Sequence, residues 1–530
     1  MVAASYATNG GLSSGRRMPS SPAAERYRGG DGGCDEGDDA LDPGPPQEQG
    51  KASLVSCISN LTNTIIGTGM LATPGAFRYT GLLLGMGLIC FCGFTAAFGL
   101  YLLTRCAAKV GGRRNSFFSI ASQTLPGGAW WFDLAIALKC YGVSISYLII
   151  CGQLMPQIII SFFKAFHRDV HQIPTLLLDR SFWIFVLMVM LIPLCFLRRL
   201  DSLRHTSYLS LLAVFYLVII VIHYSLSSDA RATLPPAGEV HLITVSYHTI
   251  SIFPVFVFAF TCAQNMLSVY NELFENSEAR VNTAIAASIG TGGFVYQIVG
   301  VLGYLAFGSN VGDNIITMYP STSLFVCFGR VSIVVLTVFS YPLQIHPCRA
   351  SLDKVLSRSS RRQVLSDAAS ASLLAQPSVP AEPYRDDVDD EAGTNPRLQP
   401  RHTVGPNHRN FSAISRMSVY EEETPLWKWC AMTAGILSTT FVISLLVDDL
   451  SIILGFVGSV GSTTISFILP GILYSSLFAD EPNSRMRRGA QTLAAWGCFV
   501  LVVALSANIH KLVQAPVPAS VLLKPSGAAR

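Results

Sequence analysis

Apolar residues run in long blocks along this chain, separated mostly by short polar connections. A helix needs about 20 such residues to cross roughly 30 Å of hydrocarbon, so the blocks predict membrane-spanning helices. About eleven are expected: Ala52–Phe77, Leu82–Cys106, Trp130–Phe163, Phe182–Leu197, Leu203–Leu226, Val245–Tyr270, Val281–Phe307, Ser323–Pro347, Leu426–Val447, Leu450–Phe478 and Ala490–Val513. Two long stretches break the pattern. Met1–Gly50 is rich in Gly, Ser, Pro and Asp with no apolar centre, and is expected as a disordered tail rather than a signal peptide. Ser351–Thr424 is too polar to offset its own chain entropy by burial and is expected as a disordered loop. The chain thus divides into a tail (1–50), eight spans (51–350), a loop (351–424), three spans (425–514) and a short C-terminal tail (515–530).

Composition agrees. Of 530 residues, 50% are apolar and only 13% charged, with a mean hydropathy of +0.44, whereas soluble chains run near a quarter charged. The net charge of +4 is small and scattered, which excludes an electrostatic nucleic-acid binder. Short connections after even-numbered spans carry Arg105, Lys109, Arg113, Arg114, Arg198, Arg199, Arg204, Arg280, Arg485, Arg487 and Arg488, and those after odd-numbered spans are poorer. Lys and Arg are retained in the cytoplasm, so the tail and the 351–424 loop are expected there. Asn410–Phe411–Ser412 then escapes glycosylation, while Arg358–Ser359 and Arg416–Met417–Ser418 make the loop the candidate site for a kinase or regulatory partner. Most of the thirteen cysteines lie in apolar stretches as small packing residues, without metal spacing. His167 and His171 lack the further histidines of a di-iron centre, and no catalytic set is visible, so an enzyme is not expected.

Two spans are unlike plain lipid-facing helices. The first contains Ser59–Asn60–Leu61–Thr62–Asn63–Thr64–Ile65–Ile66–Gly67–Thr68–Gly69–Met70–Leu71–Ala72–Thr73–Pro74. Gly67 and Gly69 permit a break, and unwound backbone is tolerated in a membrane only where it lines a cavity or is buried in protein. Freed amides would then face an anion such as a carboxylate, and freed carbonyls a cation. The alternative is close helix packing through the two glycines, with Asn60 and Asn63 as interhelical partners. The sixth span carries a second polar interruption, Phe260–Thr261–Cys262–Ala263–Gln264–Asn265–Met266. Paired interruptions in corresponding positions of two halves point to a transporter site at the midplane.

The segment Asn60–Gly69 resembles the first-helix signature of the amino acid/auxin permease family, in particular vacuolar amino acid transporters and the neutral amino acid transporters of animals. Thr261–Asn265 with Tyr270–Asn271–Glu272–Leu273 is similar to the family's sixth helix, Gly303–Gly308 to the end of its seventh, Ser340–Arg349 to its eighth, and Gly458–Ser462 through Leu469–Pro470–Gly471 to its tenth. The resemblance implies an all-α polytopic membrane protein with a leucine-transporter-like fold, two inverted five-helix repeats plus one helix. It implies secondary transport of amino acids, neutral ones expected, driven by protons or sodium, with no other cofactor. Thr64, Gly67, Thr68 and Gly69 would meet the substrate, faced by Thr261, Cys262, Ala263, Gln264 and Asn265. Asn63, Thr337 and Ser340 would be candidate cation ligands. The sequence departs from the family at Ala263, where many vacuolar members carry a histidine, and at Gln153, where an acid is expected, so neither of these proton carriers is present. The implied location is a vacuolar or lysosome-like membrane, with the plasma membrane second. The alternative function is an amino acid sensor of the same fold that transports little.

Overall fold

The first apolar block forms two helices, α1 (Leu54–Ile65) and α2 (Thr68–Thr80), which meet at a 48° bend. After them come α3 (Leu82–Val110), α4 (Phe117–Thr124), α5 (Ala129–Ala165), the one-turn α6 (Thr175–Leu178), α7 (Arg180–Cys195), α8 (Thr206–Leu226) and α9 (Ser228–Ala232). The sixth block is interrupted in turn, as α10 (Tyr247–Ala259) and α11 (Ala263–Glu272). Next are α12 (Glu278–Phe307), the short α13 (Ile315–Met318) and α14 (Leu324–Leu356). The last three blocks give α15 (Leu426–Leu446), α16 (Leu450–Phe456) leading through π-helical turns at Val457–Ser462 and Thr464–Ile468 into α17 (Leu469–Leu477), and α18 (Arg485–Gln514). This computed structural model describes residues 50–113, 115–124, 128–167, 170–197, 206–357, 425–481 and 484–514.

The all-helical polytopic class is as the sequence predicts. Among the described residues eight helices are long and apolar enough to cross a membrane, nine with the bent α1–α2 pair. Arg180–Cys195 and Ser210–Leu226 are apolar but shorter, and they stand where the fourth and fifth of the eleven expected spans fall. At the other end of the first half, α14 continues to Leu356, so residues 351–356 extend a helix where a loop was expected. The rest of that loop, with Asn410, Ser359 and Ser418, lies outside the described residues, as do nearly all of the N-terminal tail and the C-terminal tail.

The broken spans are fastened together at both ends. At one end, Ala52 N–H donates to Glu272 O at 2.8 Å and Phe274 N–H to Ala52 O at 2.9 Å, joining the start of α1 to the end of α11. At the other, Thr244 N–H donates to Thr80 O at 2.8 Å, joining the end of α2 to the approach to α10. Gly81 turns the chain there with φ +75°, a left-handed conformation that costs glycine nothing. A Cβ at Gly81 would also stand 2.9 Å from the Ile243 backbone. As a result α1 lies on α11 and α2 on α10, and the two interruptions face each other in the interior. Fully buried Phe260 and Tyr296 pack edge-on beside them. In the tenth span the π turns coincide with close backbone approaches: a Cβ at Gly461 would meet Lys139 Cβ at 2.8 Å, and one at Gly458 would run into the carbonyl of Pro254. π turns inside helices concentrate at functional places.

Candidate functional site

At the first break α1 ends at Ile65, and Gly67 begins α2 without a side-chain cap. At the second, Cys262 begins α11, again without a side-chain cap. Two helix N-termini, each with a partial positive charge, therefore open at the same depth in an apolar interior. One bond crosses between them: Asn265 Nδ2 donates to Thr64 Oγ1 at 2.7 Å, while Thr64 Oγ1 donates to Asn60 O at 2.9 Å. Thr68, Thr261, Cys262 and Ala263 are buried, and Asn63, Thr64, Gly67, Gln264 and Asn265 half-buried. Thr261 Oγ1 is turned back to its own helix, donating to Val257 O at 3.0 Å. Gln264 Oε1 is buried without a hydrogen-bond partner among the described residues.

The two glycines divide the alternatives between them. A Cβ at Gly67 would meet nothing within 4 Å, whereas one at Gly69 would lie 3.1 Å from Ala259 Cα and 3.2 Å from its Cβ. Gly67 therefore opens onto space, and Gly69 is the close-packing glycine that lets α2 lie on α10.

The candidate cation ligands stand on two helices, Asn63 on α1 and Thr337 and Ser340 on α14. Thr337 Oγ1 is 2.9 Å from Cys151 Sγ and donates within its own helix to Ile333 O or Val334 O, each at 2.9 Å. Ser340 bonds the Tyr147 hydroxyl of α5. α14, which bears both, packs along α5, α7, α8 and α15, while α1, which bears Asn63, packs along α8, α11 and α12. Among the described residues α1 and α14 share no extended interface.

Four further groups have unusual surroundings, of which Gln153 and Lys139 already stand out in the sequence. Tyr296 of α12, fully buried, sends its hydroxyl to both Ile65 O at 2.5 Å and Ala259 O at 2.8 Å, the carbonyls where α1 and α10 end. Lys139 of α5 is only 4% exposed, and the titratable groups beside it are the thiols of Cys140 and Cys262, with no carboxylate among them. Gln153 uses both ends of its amide as a bridge, donating to Asp448 O at 3.0 Å and accepting from Asn314 Nδ2 at 3.1 Å. Asn314 belongs to the connection between α12 and α14, which covers α2: a Cβ at Gly75 would stand 2.8 Å from Gly312 O.

The fourth group, Asp313, lies in that same connection and bonds the carboxyl of Asp449, ahead of α16. Burial and the Asp449 charge push its pKa up to about 6, against the opposing charges of Lys511 and Arg78. Burial also disfavours ionisation of Asp449, yet Lys511 at 3.3 Å and the Ser451 hydroxyl and N–H, each at 2.7 Å, outweigh it and hold that carboxylate below its usual range. Below about pH 6 the pair therefore holds a proton, mainly on Asp313. Because the Asp313 pKa is raised above its ordinary 3.8, its contribution to closure over α2 is full below that value and is lost as pH rises through about 6. Amide exchange over 308–322, corrected for intrinsic rate, should show more protection at about pH 5 than at about pH 7.5. In Asp313→Asn that difference should vanish.

Two interrupted helices, fastened at both ends and crossing at a buried polar centre, define a membrane carrier of the discontinuous-helix class. Comparison with known proteins makes this specific. Residues 50–510 match the family model described as transmembrane amino acid transporter protein, and the chain belongs to that family, as its sequence motifs indicate. It is 38% identical over 477 residues to vacuolar amino acid transporter 5 of Schizosaccharomyces pombe, covering 87% of this chain and 96% of the relative. It is 33% identical to vacuolar amino acid transporter 6 of Saccharomyces cerevisiae, covering 86% and 99%. Among solved structures, MhsT in complex with L-phenylalanine aligns with 87% of this chain and 99% of its own, at 10% identity and a TM-score of 0.48.

Proposed function

We propose that the protein is a secondary transporter that carries neutral amino acids across a vacuolar-type membrane by alternating access. The observation that carries this reading is the opposed pair of breaks, with uncapped N-termini at α2 and α11 and open space at Gly67. The substrate carboxylate sits on the free N–H groups at the start of α2, where the helix dipole favours an anion. The amine is taken by acceptors at the same level, Thr64 Oγ1 and the unpartnered Gln264 Oε1. The remaining lining, Thr68, Cys262, Ala263 and Asn265, is polar or small but uncharged, which suits a neutral side chain.

For the coupling ion, the geometry supports protons over sodium. Thr337 Oγ1 lies against the soft Cys151 thiol, and hard-cation sites need several oxygens on one ion. The test is uptake of labelled neutral, acidic and basic amino acids into proteoliposomes under an imposed proton gradient and, separately, a sodium gradient. Proton-driven uptake of neutral amino acids is the expected result, and sodium-driven uptake would return the coupling role to Asn63, Thr337 and Ser340. Amino acid binding without flux under either gradient would favour the sensor.

Ala263 tests the sixth-span half of the site. It is 1% exposed at the first position of α11, so Ala263→Phe should fill the pocket. The uptake ratio of small to large neutral amino acids should rise about tenfold, as measured by competition. An unchanged ratio would remove α11 from the substrate site.

A further inference from the structure

We infer that Tyr296 is the positioning residue that ties the two breaks together, so that α1 and α10 bend as one unit. The inference rests on the transport reading above.

The local geometry is specific. A helix C-terminus carries unpaired carbonyls and a partial negative charge. Here two such ends, Ile65 O of α1 and Ala259 O of α10, converge on one atom, the Tyr296 hydroxyl, at 2.5 and 2.8 Å. Like partial charges brought together in an apolar interior repel unless something positive lies between them. In many sites that would be a cation, and here the hydroxyl proton of Tyr296 occupies the position. The Gly67 backbone N–H interacts with the same oxygen, so the tie also reaches the residue that starts α2.

A hydroxyl has one proton and two acceptors to choose from. It can be passed from Ile65 O to Ala259 O by rotation about the C–O bond, without breaking the ring's packing. That ring is held independently, edge-on to Phe260 with centroids 5.3 Å apart and planes at 87°. Beside it on α12, a Cβ at Gly292 would collide with Ile65 Cγ2 at 2.6 Å, so the bare surface of Gly292 brings the end of α1 within reach. Tyr296 reaches Gly67 only through the backbone N–H, and its part is to set how the walls of the space there move.

Tyr296→Phe keeps the ring and removes only the tie. In proteoliposomes maximal uptake should fall about tenfold or more, while the amino acid concentration for half-saturation of binding in detergent shifts by less than about threefold. A purely structural residue would not produce that split. A second readout needs no transport: Cys262, 1% exposed at the break, should be alkylated by a maleimide about fivefold faster in the variant, as site-resolved mass spectrometry would show. Maximal uptake within about twofold of the native protein, with unchanged Cys262 labelling, would overturn the inference. Loss of folded variant would also overturn it, assigning the hydroxyl to stability alone. If the native protein moves no amino acid, the transport reading fails, and Cys262 labelling then decides whether the tie exists.

Discussion

Valine at Gly67 and valine at Gly69 should each abolish amino acid uptake, for opposite reasons. Gly67 faces open space, with nothing within 4 Å of the point where a side chain would begin, so Gly67→Val should fold normally and fill the space where substrate sits. Its thermal midpoint should match that of the native protein, with uptake down by about a hundredfold or more. At Gly69 the corresponding point lies 3.1 Å from Ala259 Cα, so Gly69→Val must push α2 off α10. Overpacking of this kind costs about 1–3 kcal/mol, and here it also separates the two breaks. A lowered midpoint should therefore accompany the loss of uptake. Measuring both quantities on both variants separates a filled site from a displaced wall, and uptake surviving in Gly67→Val would remove the first break from the substrate path.

Lys139→Met should raise stability and lower transport. An ammonium at this depth without a facing carboxylate is expensive, and apolar replacement of buried charge is often neutral or stabilising by about 1–4 kcal/mol. Methionine fills similar volume, so the midpoint should rise or hold. Ionisable groups inside membrane spans are usually kept for function, and Lys139 lies near Cys262 at the second break. Uptake should fall about tenfold or more even though the fold has gained. Unchanged uptake in a more stable variant would make Lys139 a packing residue that merely fills the groove beside Gly461.

The spans were legible because a bilayer imposes a single demand, an apolar stretch of sufficient length, and the sequence meets it openly. The first break was legible for a similar reason: Asn60, Asn63, Thr64, Gly67 and Gly69 are poor residues for a lipid-facing helix, whatever they pack against. What sequence could not resolve was which glycine packs and which opens, since that depends on whether Ala259 or empty space lies opposite. Tyr296 was hidden because a tyrosine in an apolar helix reads as core, and its meaning lies in two carbonyls from distant segments. A signal was nevertheless present, since Gly292 precedes it by one helical turn and clears the approach of α1. Asp313 and Asp449 sit in different connections, each unremarkable alone, and only the fold brings their carboxyls together. Thr337 and Ser340 show the same dependence on the fold: the sequence offers two hydroxyls, and only the structure places them against Cys151, Tyr147 and their own turn.

The π turns of the tenth span carry a mechanical consequence. A π turn holds more residues than an α turn, so Val457–Ser462 and Thr464–Ile468 keep the residues after Ile468 out of step with those before Val457. Converting one of these turns to α geometry would rotate α17 about its axis and advance it along that axis, against α3 and α18 on which it rests. The segment thus has the properties of a screw thread, in which a local change of pitch beside Lys139 becomes travel at the far end of the helix.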